Sequence, residues 1–328
     1  MRLLSRIYHS REILVAVILF CISLAVIYHE FGKYRYIEIL VSIASIPFSA
    51  LGFAALFTFL NFVALTGYDA LALRYIRRPL PYHQTALASF VSNSFSHSLG
   101  FGIISGAPIR YRLYSSWGIS TPEIVQIIIF CSVTVWLGFA AVSAVTFLLE
   151  PLVLPASLHA AWFSTKIFGI AFAVMLITYF IFSLLHSGKS VFGHRFNMPH
   201  ASTVSVQLLV SVADWLSSAG VLYSVLPSAA MPSFAIFVEF YLIAQFAGTI
   251  SQIPGGLGVF ETVLLLLLHH TPSPRILGSL IAFRAIYYLL PLIIAAFLMG
   301  IHELTALSGI VRLQKLQEKL RSRRLLLL

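Results

Sequence analysis

The stretch Gln245-Phe-Ala-Gly-Thr-Ile-Ser-Gln-Ile-Pro-Gly-Gly-Leu-Gly-Val-Phe-Glu261 sets a helix breaker, paired glycines and a carboxylate inside a run that hydropathy alone reads as membrane. Pro254 has no N–H and interrupts a continuing helix, while Gly255, Gly256 and Gly258 let the backbone reverse or approach a ligand closely. Non-helical backbone at membrane depth persists only where protein or a water-filled cavity covers it, because lipid satisfies neither N–H nor C=O. The stretch therefore predicts a broken, re-entrant helix pair over 234–270 that faces a polar cavity. The alternative is a short loop joining two ordinary spans at the membrane surface.

The rest of the chain agrees with a membrane setting. Of 328 residues, 59% are hydrophobic and 10% charged, a composition that leaves no room for a soluble catalytic domain between the apolar runs. Cys21 and Cys131 both lie in apolar segments and suggest packing, not a disulfide framework or zinc. The net charge of +10 would point to nucleic acid in a soluble protein. Here the basic residues gather in loops and at the C-terminus, so they read as topology signals facing anionic lipid.

An apolar run at 12–28 follows Arg2, Arg6 and Arg11 without a small-x-small cleavage site, which predicts a retained first helix. Further spans are expected at about 39–66, 122–149, 163–186, 203–225 and 276–300. Segment 84–104 differs, because Ser92-Asn-Ser-Phe-Ser-His-Ser-Leu-Gly-Phe-Gly102 is too polar and glycine-rich to face lipid on every side. Treating it as a second re-entrant element puts sixteen of the 21 Lys and Arg residues on the inside, four outside and Arg284 within the membrane. Eight ordinary spans give a weaker asymmetry. Both versions put the two termini in the cytoplasm.

This topology is an all-α polytopic membrane protein of about six full spans plus two oppositely oriented re-entrant helix pairs. Residues 39–149 and 203–300 form inverted halves of a transmembrane domain over 1–305, and 306–328 forms a basic amphipathic tail on the inner leaflet. The breaks even resemble each other: Ser94 to Gly102, with Gly100, against Thr249 to Gly258. Inverted repeats with interrupted helices point to a transporter whose site lies near the midplane.

Ionisable residues inside a membrane are costly and are by default paired or functional. Asp214 and Arg284 fall near mid-depth of their spans, where they can neutralise each other or mark the pathway. Glu261 closes the second break beside Gly258, whose helix N-terminus offers N–H donors to an anion; Glu239 begins that element. Arg110 and Arg112 flank Tyr111 just after the first break, an arrangement that suits a phosphate at head-group level or simply anchors the loop. His97 sits in the first break where Gln252 sits in the second, as a packing group or a proton carrier. His269 and His270 are adjacent and lack acidic company, so no metal site is expected, and no P-loop, dinucleotide fingerprint or nucleophilic triad order is present. No cofactor is called for.

Several strings together resemble a known family: Ser89-Phe-Val-Ser-Asn-Ser-Phe-Ser-His-Ser-Leu-Gly-Phe101, Arg110-Tyr-Arg-Leu-Tyr114, Asp214-Trp215, Ile253-Pro-Gly-Gly-Leu-Gly-Val-Phe-Glu261, and Arg284 with Tyr287-Tyr288 and Pro291. They are similar to the membrane domain of the lysylphosphatidylglycerol flippase/synthase (multiple peptide resistance factor) proteins and their stand-alone relatives, over roughly 10–305. The resemblance implies a multi-pass protein of the bacterial inner membrane that moves aminoacylated phospholipid from the inner to the outer leaflet, with Arg110, Arg112, Asp214, Glu261 and Arg284 lining the path; an anionic or aminoacyl phospholipid is the expected partner. Bifunctional members continue into a synthase domain, whereas this sequence stops at 328, so a non-enzymatic member is expected. The rival expectations are a membrane-embedded transferase on lipid-linked substrates and a non-transporting subunit that positions a separate lipid-modifying enzyme through the basic tail. The residues set no oligomeric state.

Overall fold

The computed structural model describes residues 36–99, 103–150, 165–186, 190–191, 196–227, 231–268 and 274–305. The expected first helix at 12–28, Gly100 and Gly102 in the first break, and the tail 306–328 lie outside these residues. The described chain is all-α apart from one two-residue antiparallel bridge that pairs Ser190 with Asn197 and Val191 with Phe196.

The helices are α1 (Tyr36–Ala44), α2 (Phe48–Tyr75), α3 (Tyr82–Leu99), α4 (Ile103–Ser116), α5 (Thr121–Leu149), α6 (Thr165–His186), α7 (Ala201–Val225), α8 (Phe234–Ile250), α9 (Val259–Leu267) and α10 (Pro274–Thr305). Five of them, α2, α5, α6, α7 and α10, are long and apolar enough to cross a membrane. The span expected at 39–66 is corrected. Pro47, which has no N–H to continue a helix, stands at the N-cap of α2, so α1 is a separate short helix and the span runs on to Tyr75.

Contacts fix the directions. Asn61 binds Asp214, Phe57 lies against Gly220 and Val210 against Gly67, so α2 and α7 are antiparallel. Gln207 donates to Thr134 and Ser211 lies against Gly138, so α5 and α7 run the same way. At one end of the bundle Arg78 of the α2 terminus pairs with Glu123 of the α5 start, and Arg112 near the end of α4 pairs with Glu303 near the end of α10. At the other, the Ser279 hydroxyl near the start of α10 donates to Val225 at the end of α7.

Two helical hairpins stand between these ends. Helices α3 and α4 fold back on each other so closely that a Cβ on Gly106 would sit 2.9 Å from the Ser92 carbonyl oxygen. Three serines of α3, Ser89, Ser92 and Ser94, are buried and do not face open water. Ser92 and Ser94 bond the carbonyls of Ala88 and Phe90 one turn back, and Ser89 bonds Leu65 of α2. Helices α8 and α9 make the second hairpin through a 3₁₀ turn, Pro254–Gly256, and Gly255, Gly256 and Gly258 all take positive φ, as the break predicts. Tyr82 at the start of α3 bonds Thr66 near the first end, and the Tyr223 hydroxyl donates to Pro232 just before α8 near the second. The hairpins thus open at opposite ends.

Each hairpin has its own core. Leu65, Tyr68, Leu113, Tyr114, Ile124 and Phe130 pack around the first. Phe237, Tyr241, Phe260, Phe283 and Tyr287 pack around the second. Helix α6 lies at the periphery, against Phe147 and Leu148 of α5 through Gly169.

Candidate functional site

The hairpin tips meet. A Cβ on Gly255 would stand 3.5 Å from the Ser98 carbonyl oxygen and 3.7 Å from that of His97. The contact is at mid-bundle, because the His97 ring lies 6.0 Å from Phe62, fifteenth of the 28 residues of α2, and 5.6 Å from Tyr287 of α10. Helix α10 is locally widened here into a π turn over Ala285–Leu289, directly after Arg284. Such bulges recur at functional sites because they turn side chains that a regular helix would direct elsewhere. This one brings Tyr287 and Tyr288 to the junction.

Arg284 lies at the centre. Its Nε donates to Glu261 Oε1 at 2.8 Å, and its Nη1 donates to the Gly255 carbonyl at 2.6 Å. The guanidinium stacks over Tyr288 at 4.5 Å and Phe260 at 5.4 Å. Glu261 turns its second oxygen to the Gly258 N–H at 2.7 Å, so its side chain caps the first turn of α9 from one side. The free helix N-terminus expected at Gly258 is therefore already engaged by Glu261 itself.

The expected Asp214–Arg284 pairing is corrected as well. Asp214 faces α2, where Asn61 Nδ2 donates to Oδ1 at 2.6 Å and the Tyr68 hydroxyl to Oδ2 at 2.5 Å. Tyr287 in turn donates to Asn61 Oδ1 at 3.2 Å. The reason is register: Glu261 on the hairpin reaches Arg284, while the α2–α7 crossing places Asn61 directly on Asp214.

A second ion pair, buried in the first half, is one that sequence reasoning missed. Asp69 accepts Arg110 Nε at 3.1 Å and Nη2 at 2.9 Å, and the Tyr114 hydroxyl at 2.8 Å. Ending the second span at 66 set Asp69 outside the membrane. Its signal lay in spacing, since Asn61, Tyr68 and Asp69 recur at i, i+7 and i+8 on one helical stripe.

The joint grip of Arg110 and Arg112 on one phosphate does not form in this arrangement. Residues two apart on a helix point about 200° apart, so Arg110 turns inward to Asp69 and Arg112 outward to Glu303 at 2.6 Å. Tyr111 is exposed and accepts a long bond from Thr121. His97 Nδ1 is buried without a hydrogen-bond partner. Gln252 is exposed, holds a positive φ of 57° and ties its amide to the Thr249 carbonyl.

The amino-acid sequence that builds this site has relatives elsewhere. The family model described as the lysylphosphatidylglycerol synthase TM region matches residues 13–295. The chain belongs to this family. The uncharacterized protein slr0712 of Synechocystis is 40% identical over 296 residues, which cover 87% of this chain and 89% of that protein. The inner membrane protein YbhN of Escherichia coli is 29% identical, covering 70% and 72% of the two chains. The phosphatidylglycerol lysyltransferase of Staphylococcus aureus is 26% identical over 90% of this chain but only 34% of its own length. The chain thus matches the family's membrane region and spans about a third of that lysyltransferase.

Proposed function

We propose that this protein moves a phospholipid, aminoacylated phospholipids such as lysylphosphatidylglycerol included, between the leaflets of a bacterial inner membrane. In this reading the two hairpins are re-entrant and dip into the bilayer from opposite faces. Residues 39–149 and 203–300 are the inverted halves, the spans number six with 12–28, and both termini face the cytoplasm. The basic residues at the Arg74, Arg78 and Arg112 end support that orientation. The head group passes between the hairpin tips, and the acyl chains remain in the surrounding lipid.

One observation carries the reading: an arginine–carboxylate pair lies where the broken tips of two opposed hairpins meet. Arg284 and Glu261 form the central station, with His97, Gln252 and Asp214 beside it and Arg112 and Tyr111 toward the cytoplasmic mouth, where Arg110, tied to Asp69, holds the wall of the path. Family membership supports a lipid substrate, and lysyl transfer itself belongs to the longer relative. The test is leaflet exchange of acyl-labelled phospholipids in proteoliposomes, read by the fraction accessible to an impermeant quencher. Exchange no faster than in protein-free vesicles, across anionic, zwitterionic and aminoacylated head groups, refutes it.

A further inference from the structure

Among the described residues, the two interior arginine–carboxylate pairs differ in access. Asp69 and Arg110 are sealed, with side chains 0% and 9% exposed, whereas Glu261 and Arg284 keep 14% and 16%. The pair at the hairpin tips is also incompletely bonded. Arg284 Nη2 lies 2.6 Å from Glu261 Oε1, the oxygen that already accepts from Nε, so two nitrogens share one acceptor and Nη2 has no well-directed hydrogen bond of its own. A half-buried guanidinium whose donors crowd one oxygen has room for a further anionic oxygen.

We propose that Glu261 is a head-group selector that works by exchange of partners. The phosphodiester of an incoming lipid takes Arg284, and an amine on the same head group takes the place that Arg284 leaves against Glu261. The inference rests on the transport reading above and adds the charge pattern the site accepts: a phosphate together with an ammonium, in preference to a phosphate alone.

The electrostatics are those of any buried pair. Removing one partner of a buried ion pair leaves the other uncompensated, which costs far more than the pair contributes. A purely anionic head group that draws Arg284 away leaves Glu261 with the Gly258 N–H alone. Asp214 offers no relief, as Asn61 and Tyr68 already hold it and it is itself an acid. An aminophospholipid presents both signs, so each buried charge keeps a partner throughout. The faces of Tyr288 and Phe260, which now cover the guanidinium, accept an ammonium by the same quadrupole attraction.

The test uses the full chain in proteoliposomes with two acyl-labelled lipids, phosphatidylethanolamine and phosphatidylglycerol. The wild type is expected to exchange the amine-bearing lipid at least tenfold faster. Glu261→Gln keeps an oxygen for the Gly258 N–H while removing the charge, and is expected to lower that ratio at least tenfold. Equal wild-type rates for the two lipids, or a ratio unchanged in Glu261→Gln, overturn the proposal and leave transport standing. If neither lipid moves in either protein, transport fails, and equilibrium binding of the same two lipids to detergent-solubilised protein decides the selector. Preference for phosphatidylethanolamine that Glu261→Gln abolishes upholds it, and indifference overturns it. Thermal unfolding of Glu261→Gln close to that of the wild type excludes misfolding as the cause.

Discussion

Replacing Asp69 by alanine tests the packing of the first half with a single side chain. Asp69 is completely buried and receives three donors, two from Arg110 and one from Tyr114. Its removal leaves Arg110, 8% exposed, with only the long contact to Asn93 Oδ1 at 3.4 Å. Breaking a buried pair from one side costs about 3–5 kcal/mol, and the orphaned Tyr114 hydroxyl adds roughly 1 kcal/mol. Asp69→Ala should therefore lose about 4–6 kcal/mol in denaturant titrations in mixed micelles followed by far-ultraviolet circular dichroism. The double variant Asp69→Leu with Arg110→Met removes both charges and should recover most of that loss, with a coupling of about 3 kcal/mol or more against the single variants Asp69→Leu and Arg110→Met. A single-variant loss under about 1 kcal/mol, or a double variant as unstable as the sum of the two singles, would refute the assignment of this pair as a sealed structural tie.

Other positions carry smaller, separable effects. Tyr287→Phe leaves Asn61 Oδ1 without its donor and should cost about 1 kcal/mol in the same titration, with Asp214 still held by Tyr68. Gly255→Ala forces a side chain into φ +60°, at roughly 1–2 kcal/mol, and should slow leaflet exchange because the tip is where the hairpins meet. Glu123→Ala removes a capping box on Ser120 and a largely exposed contact with Arg78, so a loss of about 1 kcal/mol that added salt barely changes is expected. Gly106→Leu drives a side chain toward the Ser92 carbonyl and should give the largest packing defect of these four, seen as reduced yield of monodisperse protein.

Much of the architecture could be read directly. The long apolar runs predict α5, α6, α7 and α10 to within a few residues, and Pro254 with its glycines places the break of the second hairpin where the chain turns. What could not be read depended on three-dimensional register. Hydropathy does not distinguish a serine whose hydroxyl bonds its own helix from one lining water, so α3 reads as more polar than it behaves. It cannot tell which carboxylate meets which arginine. Asp214 and Arg284 fall at similar positions along their spans, yet a hairpin that belongs to neither span supplies Glu261 as the partner of Arg284. Arg110 and Arg112 look alike in a string and part company on a helix. The π turn after Arg284 has no distinctive composition, although it sets where Tyr287 and Tyr288 point.

The backbone at the tip explains why an ion pair is found there. A break at membrane depth exposes peptide groups that lipid cannot serve, so each needs a partner within the protein. The Gly256 and Leu257 N–H groups bond back to Ile253 and Pro254 inside the turn. The ion pair serves two of the groups that the turn does not satisfy: Arg284 donates to the Gly255 carbonyl and Glu261 accepts the Gly258 N–H. The charges that an incoming head group would engage are thus the ones that complete the fold of the tip. A ligand that draws Arg284 away also frees the Gly255 carbonyl, which favours water at the tip over contact with His97 and Ser98. In the proposed transport, head-group binding and loosening of the contact between the hairpins would be one event. Arg284→Lys should separate them, because an ammonium keeps the charge for Glu261 but loses the planar fork that reaches Gly255 at the same time. In that variant proteolysis or hydrogen exchange at 250–258 should rise without added lipid, and unchanged protection there would show that the tip is held by something other than Arg284.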